Sequence, residues 1–130
     1  SSPALPCSAS RLTRRNATAV RFAPAIRGVN KNRLCFDPGI GFGKTNEENF
    51  ALIANPEKIR VPGTALLMAA SRKRAIGAVC GNPPFEDRMA GTVAAHTASV
   101  LFGADMVRVH DTFEAVQAAR VADAIKQFRK

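Results

Sequence analysis

The chain has 130 residues, 46% of them hydrophobic, with 19 Lys and Arg against 10 Asp and Glu and a formal net charge of +9. That length points to one domain, and the hydrophobic share argues against a disordered tail. The longest apolar run, Ala65 to Ala70, is six residues, against the ~18 or more that a membrane span needs.

Three cysteines, Cys7, Cys35 and Cys80, form no CxxC pair and no even framework. A zinc ribbon and a disulfide-stapled domain are therefore disfavoured, and reduced thiols in a cytosolic-type compartment fit better. Cys35 and Cys80 read as buried apolar fillers.

The charge is uneven. Residues 1–33 hold seven basic side chains and no acid, whereas residues 34–130 hold 12 basic and 10 acidic, a net of +2. A basic head, residues 1–32, is thus set apart from a nearly neutral region, 33–130. The head carries Pro3, Pro6 and Pro24 and no sustained hydrophobic period. It reads as a disordered or remnant segment, a transit-like leader or a nucleic-acid arm.

From Leu34 the punctuation becomes regular. Leu34-Cys35-Phe36 is a short strand closed by Asp37-Pro38-Gly39, and a Gly-rich loop runs to Gly43. Thr45 and Glu48 fit a capping box that opens a helix over 46–54, stopped by Pro56. Thr64 to Ala70 reads as the second strand, ending at Ser71-Arg72-Lys73-Arg74. A helical turn over 75–80 and a Gly81-Asn82-Pro83-Pro84 loop follow. Glu86 to Phe102 is helical in pattern, with Gly103 as its C′ residue. Met106 to His110 is the third strand. Asp111 opens a last helix with a second capping-box pattern at Glu114, and Phe113, Val116, Ala119, Ile125 and Phe128 lie mainly on one face.

The strands are apolar rather than alternating, as in a parallel sheet covered by helices. Asp37, Lys73 and His110 recur after 36 and 37 positions, which suggests repeated βα units. Three units at ~32 residues each are three-eighths of the ~250 residues of a TIM (β/α)8 barrel.

Every polar cluster falls at a strand's C-terminal end, the rim that carries sites in α/β folds. Arg108 and His110, two apart, share a face and suit an anion; the alternative is an Arg paired with Asp105 or Asp111 beside a structural His. Gly39-Ile40-Gly41-Phe42-Gly43-Lys44-Thr45 is a near miss to both nucleotide fingerprints, so it is either a ligand loop or a tight turn. Lys73 is either a donor to a heterocycle or anion, or part of a solvated Arg72-Lys73-Arg74 run. His96 reads as structural. No Ser–His–Asp, HExxH or paired-carboxylate arrangement stands out.

Taken together, Asp37-Pro38-Gly39-Ile40-Gly41-Phe42-Gly43-Lys44, Ser71-Arg72-Lys73 and Arg108-Val109-His110-Asp111 strongly resemble the last three strand ends of dihydropteroate synthase. The Arg88-x-x-Gly91-Thr92 segment is similar as well. The resemblance spans about residues 33–130 and implies the last three βα units of a TIM (β/α)8 barrel. It implies a transferase of folate biosynthesis that joins para-aminobenzoate to 6-hydroxymethyl-7,8-dihydropterin pyrophosphate. Pyrophosphate would leave first, magnesium assisting, before the aniline nitrogen attacks the pterin methylene.

On that resemblance, Asp37, Lys73 and Arg108 would bind the pterin, and Phe42, Ser71 and Arg72 para-aminobenzoate. Arg108 and His110 would hold the pyrophosphate, and Lys73, Arg108 and His110 would be catalytic. The magnesium-linked Asn belongs to the family's first strand, so no metal ligand is expected within this chain. Ala69 departs from the family, which usually has Gly there. The partners implied are small molecules, with no nucleic acid and no membrane, in a commonly homodimeric enzyme. The compartment implied is cytoplasmic, or mitochondrial in a eukaryote. Three strands cannot close a barrel, so the isolated chain is expected to be inactive. The alternatives are a methyltetrahydrofolate-dependent methyltransferase module, a noncatalytic homologue and a basic nucleic-acid-binding piece.

Overall fold

A computed structural model describes Gly28 and residues 30–130. The readings of the basic head over residues 1–27 lie outside the described residues. Three strands, β1 (Cys35–Phe36), β2 (Ala65–Met68) and β3 (Met106–Val107), form a parallel sheet in that order. Cys35 aligns with Ala65 and Leu67 with Met106. Helices separate the strands: α1 (Asn46–Ala54) and α2 (Pro56–Ile59), then α3 (Arg74–Val79) and α4 (Met89–Leu101). The last helix, α5 (Thr112–Phe128), follows β3 and packs on α4.

One face of the sheet is covered and the other is open. Phe36, Leu66 and Met68 are buried, and Leu66 and Met68 join Leu52, Ile53, Ile59 and Ile76 in one core. The alternate residues Cys35, Ala65, Leu67 and Met106 are exposed or half-buried. Burial therefore alternates along strands whose sequence does not. The expectation that Cys35 and Cys80 are buried fillers is corrected: both thiols are free and exposed. Cys35 lies on the open face, its Sγ 3.7 Å from Met106 Sδ, and Cys80 caps the exposed end of α3.

Local signals set the element boundaries. The capping box at α1 forms: Thr45 Oγ1 accepts the Glu48 N–H at 3.1 Å and Glu48 Oε2 the Thr45 N–H at 3.2 Å. The second box does not form. Asp111 sits at the N-cap of α5 but makes no capping bond, because both its carboxylate oxygens accept from Arg72. The helix expected over 86–102 is split into a 3-10 turn, Phe85–Asp87, and α4. The chain bends at Arg88 (φ −105°, ψ 15°), whose guanidinium donates to Pro83 O and Arg72 O. Gly103 follows the end of α4 with φ +114°, the left-handed C′ position expected of it.

β3 is shorter than the expected 106–110. Its pairing continues through Arg108 N–H to Met68 O at 3.0 Å. The next donor, His110 N–H, is taken at 3.2 Å by the Ser71 hydroxyl rather than by a carbonyl. A side chain thus ends the ladder where the strand tips open into loops.

Candidate functional site

Two of the three strand ends, those of β2 and β3, converge. Ala69, Ser71, Lys73, Arg108, Val109 and His110 line one small cavity of about 70 Å³ at the C-terminal rim of the sheet. Ser71 is buried, and its Oγ lies 2.7 Å from His110 Nδ1 while also accepting the His110 N–H. A serine after β2 therefore fixes both the backbone and the ring of a histidine after β3. Arg108, for which pairing with Asp105 or Asp111 is the alternative reading, pairs with neither. Asp105 holds Arg60 at 2.8 Å and Asp111 holds Arg72 at 2.7 Å.

The Gly-rich loop closes one side of the site. Lys73 Nζ donates to Ile40 O and lies 4.8 Å from the centre of the Phe42 ring. Burial lowers the Lys73 ammonium from its ordinary pKa, and Arg108 and Lys44 push the same way against the opposing pull of Asp37. Asp37 stands beside the cavity, not in its wall, with Oδ1 accepting the Gly39 N–H at 2.8 Å. Phe42 is exposed, apart from its stacking on Lys73. Arg72 turns its guanidinium to Asp111 in a two-point ion pair that raises the guanidinium and lowers the carboxyl, the side-chain hydrogen bond leading in each.

Two contributors lie outside the sequence reading. Phe85 stacks under Arg72, 5.1 Å from Cζ to ring centre, and meets the His110 ring edge-on at 5.4 Å. A lone Phe after two prolines carries no pattern that could announce this. Asn49 is 2% exposed, and its Oδ1 accepts the Gly41 N–H at 2.9 Å. Its signal was legible: a polar residue on the buried face of α1, beside Leu52 and Ile53.

Asn49→Leu leaves the Gly41 N–H without its acceptor, at a cost of about 1–3 kcal/mol. We expect faster amide exchange at Gly41 and Phe42 in that variant. Wild-type exchange would remove Asn49 from the support of the loop.

The chemistry of this rim is that of an anion and a donor-hungry heterocycle. Two cations, a histidine and a hydroxyl face one cavity, and Lys and Arg donors suit phosphate oxygens and ring carbonyls. Magnesium does not fit these residues. A hard dication needs oxygen ligands, preferably carboxylates, and here the wall carries Lys73 and Arg108. Among the described residues, no three His, Cys, Asp or Glu side chains cluster to hold a metal ion. No helix among them is long and apolar enough to cross a membrane.

Known proteins are similar to this chain in sequence and in fold. A family model described as pterin binding enzyme matches residues 11–110, beginning inside the basic head. The mitochondrial folate synthesis bifunctional protein of Arabidopsis thaliana is 39% identical over 114 residues, 81% of this chain and 21% of that protein. A dihydropteroate synthase of Clostridium beijerinckii is 43% identical over 99 residues, 75% of this chain and 36% of that one. The chain thus spans about a fifth to a third of these curated relatives.

Two solved structures are similar in fold. Dihydropteroate synthase of Xanthomonas albilineans with 4-aminobenzoic acid superposes with TM-score 0.81 at 35% identity, covering 98% of this chain and 47% of that one. The Coxiella burnetii enzyme in complex with pteroic acid gives 0.74 at 33% identity, covering 78% and 38%.

Proposed function

The chain belongs to the family of pterin-binding enzymes, and from that premise we propose that it is the pterin- and pyrophosphate-facing part of a dihydropteroate synthase. The observation that carries the reading is the convergence of Ser71, Lys73, Arg108 and His110, from two strand ends, on one cavity. Lys73, held beside Ile40 O, donates to the pterin ring carbonyl. Arg108 and His110 bind the departing pyrophosphate, whose growing charge is what fixed donors stabilise most. Ser71 orients the His110 ring through Nδ1 and so leaves Nε2 for the pyrophosphate. Asp37 takes the pterin amino edge. Phe42, Ser71 and Arg72 border the para-aminobenzoate path, Arg72 with its guanidinium already engaged by Asp111.

The same reading makes β1, β2 and β3 the last three βα units of an eight-stranded TIM barrel. The parallel order β1-β2-β3 and a sheet face left open at Cys35, Leu67 and Met106 support it. Homodimerisation follows from the family, and the exposed Phe113, Val116, Val121, Ile125 and Phe128 of α5 favour a protein neighbour there. Free thiols at Cys35 and Cys80 favour a reducing compartment, the cytoplasm; mitochondria are the eukaryotic counterpart. On this reading the magnesium that the family implies takes its ligands from outside the cavity wall formed by Lys73 and Arg108.

A chimera tests the reading. Residues 33–130 would replace the aligned part of the Bacillus subtilis dihydropteroate synthase, which is 41% identical to this chain. We expect it to form dihydropteroate from para-aminobenzoate and the pterin pyrophosphate. Lys73→Met in the chimera is expected to lower kcat/KM about 10- to 100-fold, the worth of a hydrogen bond from a charged donor. The 130-residue chain alone is expected to give no turnover. A folded but inactive chimera favours a noncatalytic homologue instead. Ala69 is the residue behind that second reading, since its methyl sits in the cavity wall; recovery by Ala69→Gly would identify it as the block.

A further inference from the structure

We infer that Thr92 and Arg88 are positioning residues that clamp the backbone of Arg72 in a left-handed turn, and so hold Ser71 and Lys73 at the cavity. Arg72 has φ +56°, a conformation that an L side chain seldom adopts. The turn it belongs to is tight: Lys73 N–H donates to Ala70 O at 3.1 Å, and α3 begins at the next residue. Turns with positive φ at the third position ordinarily place Gly there. Here the position holds an arginine, whose side chain is committed to Asp111 and Phe85. The strain must be offset by whatever holds the peptide groups on either side.

Both peptide groups are held from the start of α4. Thr92 is 4% exposed, and its Oγ1 accepts the Arg72 N–H at 2.9 Å while donating to Arg88 O at 2.7 Å. The second bond orients the hydroxyl, so that a lone pair faces Arg72. The Arg88 guanidinium donates to Arg72 O at 3.1 Å and to Pro83 O at 3.0 Å. It lies against Gly77 so closely that a Cβ there would come within 2.8 Å of Cζ. N–H and C=O of Arg72 are therefore tied to the start of α4, and its side chain to Asp111 at the start of α5. Opening the turn would carry Lys73 away from Ile40 O and Ser71 away from His110. The catalytic meaning of the clamp rests on the function proposed above, but its geometry does not.

The test uses the 130-residue chain with three readings. These are the Arg72 HN–Hα coupling, which reports φ, the rate of reductive methylation of Lys73, and the affinity for pteroic acid. Thr92→Val keeps the shape and removes both hydroxyl bonds; Thr92→Ser keeps them. Arg88→Lys keeps the charge and loses the two-carbonyl reach. In Thr92→Val and Arg88→Lys we expect a shifted coupling, a several-fold faster Lys73 methylation and about tenfold weaker pteroic acid binding, as for one lost hydrogen bond. Thr92→Ser is expected to match wild type in all three.

If wild type itself does not bind pteroic acid, the coupling and methylation readings still judge the clamp, and the chimera above judges the functional reading. Unchanged coupling and methylation in a folded Thr92→Val or Arg88→Lys chain overturn it. Should both variants lose their far-UV circular dichroism, Thr92→Ser decides: a wild-type methylation rate supports the clamp and a raised one rejects it.

Discussion

Gly91→Val is expected to destabilise the chain by about 1–3 kcal/mol, the usual range for forcing extra methyls into a packed contact. A Cβ on Gly91 would lie 2.5 Å from Ile76 Cγ2 and 3.4 Å from Cys80 Sγ. Ile76 is 3% exposed and belongs to the core, so it has nowhere to retreat. Helix propensity alone predicts the opposite sign, because Gly inside a helix costs ~1 kcal/mol relative to Ala. The contact decides, since 2.5 Å is far inside van der Waals range. Urea unfolding would show a lower midpoint at unchanged slope. Ile76→Ala combined with Gly91→Val should recover part of the loss, giving a measurable coupling between the two sites. A Gly91→Val chain as stable as wild type would sink the close-packing account of α3 against α4.

Acid should cost the fold a further share of its stability through His96. That residue is 3% exposed, and its Nε2 accepts the Ala70 N–H at 3.2 Å. Burial, and then the Lys73 charge, lowers its pKa to about 4 from 6.5. The folded state thus keeps the ring neutral where the unfolded state would already take a proton. The contribution is complete above about pH 6.5, falls as pH drops towards about 4, and is level below that. At 1.36 kcal/mol per unit the loss is roughly 3 kcal/mol between pH 7 and pH 4. His96→Gln keeps an acceptor for Ala70 and cannot charge. Its stability should therefore be flatter across that window, although lower at pH 7. Equal pH slopes for the two proteins would reject the buried neutral imidazole.

His96 also separates what residues announce from what packing creates. A histidine in an Ala-rich helix reads as structural, and it is. No local pattern says that its ring ends on Ala70, 26 positions earlier. The same holds for the Arg72–Asp111 and Ser71–His110 contacts, each across 39 positions. They depend on two loops meeting over adjacent strand ends. Asp111 shows the cost of local reading: its spacing to Glu114 suggests a capping box, but a guanidinium brought by the fold is the stronger partner for a carboxylate.

The order of the three strands, the parallel βα repeat and the strand ends that carry the polar clusters could be read from residues 34–111 alone, whereas the helix α2 that begins at Pro56 could not. They rest on short-range rules: apolar runs make strands, Thr45 with Glu48 starts a helix, and Pro and Gly end both. The motifs at those ends also carried the family resemblance that the comparisons bear out. Burial could not be read the same way. The uniformly apolar strands gave no hint that Cys35 and Met106 would face outward while Phe36 and Met68 faced the helices, because every second residue changes sides and only the covering layer picks the side. Nor could the sequence say that Arg72 would be bent left-handed and tied by Thr92, Arg88 and Asp111. Those bonds join three separate segments, and their partners exist only after α4 and α5 have packed around the strand ends.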